Sequence, residues 1–186
     1  MSLGNTSAAN RKTTARGLVE IFTGEGKGKT TAALGVALRA SGHGLKVFIV
    51  YFMKGGFPYG EQKALSRLSN ISFARFGLEG FVDPNNVTEA EKGEARKALQ
   101  KAKEVIFSNE YDIVILDEIN VAAAWKLIDI AEVIKIIKEK PERVELILTG
   151  RYADDKLIEL ADLVTDMTKV KHPYDKGVLA RKGIDY

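Results

Sequence analysis

The sequence contains no cysteine, which removes disulfides, zinc–thiolate centres and thiolate nucleophiles from consideration. Histidine is nearly as scarce: His43 and His172 are the only two, far apart and without metal-ligand spacing. No apolar run approaches the roughly 18 residues of a membrane span, and no signal-peptide pattern precedes the first apolar strand. A cytoplasmic protein with no membrane partner is therefore expected. A strong charge of one sign is also missing. The 28 Lys+Arg against 25 Asp+Glu leave a net +3, too mild to argue for a nucleic-acid partner, yet suited to holding a polyanion at one site.

What is present is the composition of an ordinary globular domain, 45% hydrophobic and 28% charged. A chain of 186 residues fits one domain and can bury a core without disulfide or metal staples. Residues 1–16 are polar, small and basic, with nothing to bury. They read as a flexible N-terminal arm ahead of a domain over 17–186.

From Leu18 onward short β-rich runs alternate with helical stretches. Strands are expected at Leu18–Thr23, Lys46–Phe52, Ile71–Phe76, Asp112–Asp117, Val144–Thr149 and Leu163–Thr168. Helices are expected near 29–42, 60–69, 88–108, 128–140 and 154–161. Thr88 and Glu91 have the spacing of a capping box, and Pro141 should stop the helix before Val144. The alternation predicts an α/β fold, a mostly parallel sheet with helices on both faces. Ligands in such sheets bind beyond the carboxyl ends of the strands, where the loops after Thr23, Phe52, Phe76, Asp117 and Thr149 should converge.

The strongest motif is Gly24-Glu25-Gly26-Lys27-Gly28-Lys29-Thr30-Thr31, set between a strand and a helix. Glycines let backbone N–H groups turn inward, and the helix adds its positive end. Lys29 offers a charge to phosphates and Thr30 a hydroxyl to magnesium, as in a P-loop. Counted from Gly24, only three residues precede Gly-Lys-Thr where the usual loop has four, which implies a tighter cradle. Glu25 beside a polyanion should point outward or toward nucleotide hydroxyls. The apolar strand ending in Asp117-Glu118 supplies the acid pair of the metal side.

These segments, with TGEGKGKTTAALGVALRASGHG followed by YFMKGG, VILDE, LTGR, ADLVTDM, VKH and GIDY, resemble the P-loop type of ATP:corrinoid adenosyltransferase. The resemblance runs from Gly17 to Tyr186. It implies a RecA-like P-loop fold, ATP and Mg2+, a reduced corrinoid as second substrate, an electron-donor reductase and a homodimer. The implied reaction is attack of Co(I) on C5′ of ATP, which lies reversed on the short loop, with release of inorganic triphosphate. Such chemistry needs no Ser, Cys or His base. It needs positioning, exclusion of water and charge on the leaving group.

Carried over residue by residue, the resemblance assigns phosphate binding to Gly24–Thr31. Lys29, Thr30 and Arg151 become catalytic, Arg39 and Arg151 ATP contacts, and Thr30, Asp117 and Glu118 the magnesium side. Arg39 could equally pair on its helix surface, and Lys171-His172 could be a solvated turn. Phe81 matches the first of an aromatic pair that contacts the corrinoid, although a loop such as GLEGFVDPNN also needs an anchor. The second aromatic position is Asp83. The sole tryptophan, Trp125, reads as core. Two other classes of function compete: a P-loop kinase moving the γ-phosphoryl group to a small acceptor, and a nucleic-acid-stimulated ATPase. The chain shows no concentrated basic stripe for the latter.

Overall fold

The computed structural model describes residues 16–56 and 59–186. Its sheet has six strands: β1 (Val19–Thr23), β2 (Val47–Tyr51), β3 (Ile71–Arg75), β4 (Ile113–Asp117), β5 (Glu145–Thr149) and β6 (Leu163–Asp166). All pairings are parallel, in the order β3-β2-β4-β5-β1-β6. The helices are α1 (Lys29–Gly42), α2 (Gly60–Leu65), α3 (Glu89–Phe107), α4 (Ile119–Ala124), α5 (Ile130–Glu139) and α6 (Asp155–Ile158). Parallel neighbours require crossovers, and the helices supply them.

The sheet is buried on both faces, which is why VFIVY and IVILD carry no polar alternation. All ten of their residues are inaccessible. One face packs Phe48, Val50, Val114, Leu116, Leu146 and Leu148 against α3, α4 and α5. The other packs Val47, Ile49, Tyr51, Ile113, Ile115 and Ile147 against Ala33, Ala37 and Ala40 of α1 and Leu65 of α2. Small alanines on α1 let its backbone sit close over the strand ends. β6, by contrast, is an edge strand with all four residues exposed.

The local signals behave as their chemistry requires. The Thr88 hydroxyl accepts from Glu91 N at 3.2 Å while the Thr88 N–H donates to Glu91 Oε2 at 2.7 Å, which closes the capping box. α5 ends at Glu139, and Lys140, just before Pro141, is extended with ψ 143°. One helix was not foreseen. α4 starts directly after β4, because Glu118 takes a left-handed conformation (φ 64°, ψ 18°) and turns the chain without a Ser, Thr or Asp cap. The expected arm falls outside the described residues, apart from exposed Arg16. The Gly17 N–H donates to Glu142 O at 2.8 Å. No helix among the described residues is long and apolar enough to cross a membrane.

Candidate functional site

β1 and β4 are separated by β5, so the loop after β1 and the acids after β4 meet across the β5 end. Gly28, at φ 118°, caps α1 in a conformation that a side chain would strain. Gly26 lies so close to the chain after β6 that a Cβ would stand 2.4 Å from Met167 O, and its N–H donates to that oxygen. The loop is thus clamped between α1 and the segment following β6.

Lys29 is buried and its ammonium donates to Gly24 O at 2.8 Å and Gly26 O at 2.6 Å, inside the loop it serves. Burial lowers its pKa, and Arg151 nearby pushes the same way, against Glu118, Glu25 and Asp166. Next along the helix, Thr30 Oγ1 donates to Asp117 Oδ1 at 2.8 Å. Thr149 Oγ1 donates to the same oxygen at 2.6 Å and accepts from Glu118 N at 3.0 Å. Asp117 Oδ2 accepts from Lys54 Nζ at 2.6 Å, within an ion pair whose side chains are 1% and 11% exposed. Burial pulls the Lys54 ammonium down, but the Asp117 and Glu118 charges and the Asp117 bond outweigh it, and its pKa is raised. Glu118 is held up by burial and by Asp117 beside it, opposed by Lys54, Lys29 and Arg151.

These groups open onto a cleft of about 550 Å³. Gly26 to Thr31 line one end with Lys54, Glu118 and Arg151, and Met53, Phe81, Val82, Trp125 and Tyr152 line the rest. Glu25 turns away from the loop and pairs with Arg151 at 3.3 Å, both about half exposed. Arg39 is not in the cleft. It sits exposed in the last turn of α1, ten residues and so about 15 Å along the axis from Lys29. Phe81 does reach the cleft and is fully exposed there. Trp125 combines two settings, packing on the core yet lining the cleft. The reading of it as core alone is corrected.

Several cleft residues were not singled out from the sequence. Lys54 and Tyr59 follow β2, Tyr152 follows Arg151, and Asp185 comes from the tail, as does His172, for which the sequence left a role and a solvated turn open. Lys27 pairs with Asp185 and also donates to Ile184 O at 3.2 Å, so the GIDY stretch folds back onto the phosphate loop. His172 caps a short 3-10 turn at Pro173–Lys176 through Nδ1, which accepts from Tyr174 N. The motif letters in YFMKGG and GIDY hinted at Lys54 and Asp185.

A parallel sheet with a glycine-rich strand-to-helix loop, a buried lysine and an acid pair one strand removed defines a P-loop nucleotide-binding α/β protein. Within that class, residues 15–186 match the family model described as ATP:corrinoid adenosyltransferase BtuR/CobO/CobP, and the chain belongs to this family. A corrinoid adenosyltransferase of Sinorhizobium sp is 40% identical over 178 residues, covering 94% of this chain and 83% of the relative. One from Escherichia coli K12 is 40% identical over 171 residues, covering 92% and 86%. The corrinoid adenosyltransferase CobA of Salmonella typhimurium is 38% identical with the same coverage. The family takes ATP and a corrinoid as substrates, and a phosphoryl-transferring kinase finds no support among these relatives.

Proposed function

We propose that the chain moves the 5′-deoxyadenosyl group of ATP onto the Co(I) of a reduced corrinoid. The electron pair of Co(I) forms the Co–C5′ bond, the C5′–O bond breaks, and inorganic triphosphate leaves with that oxygen. The observation that carries this reading is one cleft with a cationic, hydrogen-bonded end and an aromatic end. The first suits a polyphosphate and the second a large flat organic partner.

In this reading Gly24–Thr31 hold the phosphates, and Lys29 and Arg151 offset the charge that grows on the leaving triphosphate. The helix end behind Gly28 adds to that field. Glu25, held by Arg151, is kept from repelling the phosphates. An ATP contact by Arg39 would have to be made in an assembly of two copies, and a homodimer is part of the proposal. Thr30 and Asp117, with Glu118 adjacent, are hard oxygen donors that fit magnesium, an ion normally held by few protein ligands plus substrate phosphates. The Lys54 ammonium seated on Asp117 supports this reading, since the carboxylate there is already paired with positive charge. Magnesium, when bound, would neutralise part of the triphosphate charge.

Phe81 and Val82 would face the corrinoid, and a separate electron-donor reductase would supply Co(I). The test is anaerobic incubation with ATP, Mg2+ and chemically reduced corrinoid. One triphosphate per adenosylcorrinoid is the expected outcome. Stoichiometric ADP, or pyrophosphate with phosphate, would overturn it.

A further inference from the structure

Lys54 is the best-held side chain of the site, and the chemistry above gives it no task. It lies three residues beyond the end of β2, its N–H donates to Phe76 O at 2.8 Å, and Tyr51 pairs in register with Asp117 on the next strand. The ammonium therefore arrives at Asp117 on a rigid frame. It lies 4.9 Å from the Tyr59 ring centroid and 5.6 Å from that of Tyr51, within cation–π reach of both. It is also 3.5 Å from Thr30 Oγ1. Asp117 Oδ1 meanwhile takes the Thr30 and Thr149 hydroxyls. The Thr30 and Asp117 oxygens of the proposed metal site are thus already engaged, with Lys54 in the place of positive charge.

A buried carboxylate without a cation is strongly unfavourable, so Asp117 needs one in both states of the site. We propose that Lys54 is a resident placeholder cation. It occupies Asp117 while the cleft lacks nucleotide, keeps free divalent ions off the Thr30–Asp117 pair, and gives way only to a metal that arrives with a triphosphate. Released from Asp117 but still lining the cleft, its charge joins Lys29 and Arg151 around the phosphates. The metal and the nucleotide then bind as one unit. Metal alone should bind poorly to this carboxylate, in spite of its burial and its neighbour Glu118.

The inference rests on the proposed magnesium side of Thr30 and Asp117, and the experiment separates the two. Mn2+, read by the loss of its free-ion EPR signal, is titrated into the whole protein with and without a non-hydrolysable ATP analogue. Wild type should bind Mn2+ weakly alone and tightly with the analogue. Lys54→Met should bind Mn2+ alone at least about tenfold more tightly, ~1.4 kcal/mol. Its Mn2+ affinity in the presence of the analogue should change far less. Lys54→Gln, which keeps a hydrogen-bond donor for Asp117, serves where Lys54→Met does not fold, and Lys54→Arg should restore the wild-type exclusion. Unchanged nucleotide-free affinity in the neutral variants overturns the placeholder role, while the metal site stands if Thr30→Ala weakens Mn2+ binding with the analogue. If Thr30→Ala leaves that binding intact, the metal site itself is wrong and the placeholder falls with it.

Discussion

The two ends of the cleft are built on different terms. At the phosphate end Thr30, Lys54, Asp117 and Thr149 are buried or nearly so and bonded to one another at 2.6–2.8 Å, and buried Lys29 is bonded to the loop carbonyls of Gly24 and Gly26. They sit at or just beyond strand ends and at a helix start. At the aromatic end, Phe81 projects wholly into solvent from a run of bends and turns. Asp83 there only caps its own loop, with Asp83 Oδ1 accepting from Asn85 N at 2.9 Å. The phosphate end is organised by bonds within the protein, whereas at the aromatic end Phe81 lies open to solvent and, in the proposed function, would be covered by the corrinoid. Electrostatic stabilisation benefits from groups fixed in advance. A large apolar partner can instead bring its own contact surface.

The comparison breaks most easily at its rigid end. Lys29→Ala removes a charge facing the leaving group, and Thr30→Ala removes a hydroxyl from the Asp117 network. Each should lower turnover with Co(I) corrinoid by at least about 10²-fold, the scale on which loss of one preorganised group acts. Anaerobic kcat measurements decide it. Near-normal rates in both would mean that the phosphates lie elsewhere and that the ordered end is merely structural.

The loose end gives the next effect. Phe81 is fully exposed, so Phe81→Ala should shift the unfolding midpoint by no more than a surface change does, within about 0.5 kcal/mol. Turnover should nonetheless fall roughly tenfold, the weight of one or two kcal/mol of lost apolar contact, and more with cobalamin than with cobinamide, which carries no lower base. Asp83→Trp should move cobalamin use the other way. The gain will be limited, because the exchange deletes the Asn85 turn bond. Equal losses on both corrinoids would make Phe81 a loop anchor only.

This asymmetry also explains what could be read from the sequence. The six strands are where the apolar runs place them, each within a residue or two; for β2 and β4 this is because burial on both faces leaves a continuous signal in the chain. The P-loop and Asp117-Glu118 are local motifs and were legible for that reason. Lys54, Tyr152 and Asp185 were not, since they reach the cleft only through strand order and the fold-back of the tail. α4 escaped because its start depends on one left-handed Glu118 rather than on a capping residue. Trp125 escaped because a half-buried cleft wall and a core position look alike in an alanine-rich stretch.

A group away from both ends provides a control on stability. Glu20 on β1 has its pKa raised to about 7, through burial first and then through Glu145 beside it, with Arg39 opposing. A carboxyl with a folded pKa above its unfolded value binds more protons when folded, so stability falls as pH rises between about 4.5 and 7. The side chain is partly open to solvent, which discounts the effect to ~1 kcal/mol. Glu20→Gln should flatten this part of the pH profile of denaturant midpoints and stabilise the protein at pH 8. If the wild-type slope survives the substitution, other groups carry it. Activity per folded molecule should not change, which separates folding losses from site losses in the variants above.

The smallest expected effect concerns the tail on the phosphate loop. Lys27 pairs with Asp185, which Arg181 also holds at 3.0 Å, and both Lys27 and Asp185 line the cleft. Lys27 is about half exposed, at 47%, so its ion pair is worth little to stability, of the order of 0–1 kcal/mol. Its consequence for binding is different. A carboxylate at the loop draws Lys27 toward the tail and adds a negative charge where a polyphosphate must settle. Yet the same contact brings the tail, through Asp185, to the cleft, where it could exclude water once ATP is in place. The two roles predict opposite kinetic signatures. If the pair mainly competes with phosphate, Asp185→Asn should lower the KM for ATP a few-fold, within ~1 kcal/mol, and leave kcat alone. If the tail mainly closes the site, kcat should fall and the KM for ATP should hardly move. We expect the first outcome, because Lys27 is the one P-loop side chain whose charge the tail takes up. Repeating the measurement at raised salt sharpens the result. Screening weakens an exposed pair, so the wild-type KM should approach that of Asp185→Asn as salt rises, and a gap that persists would point to closure instead.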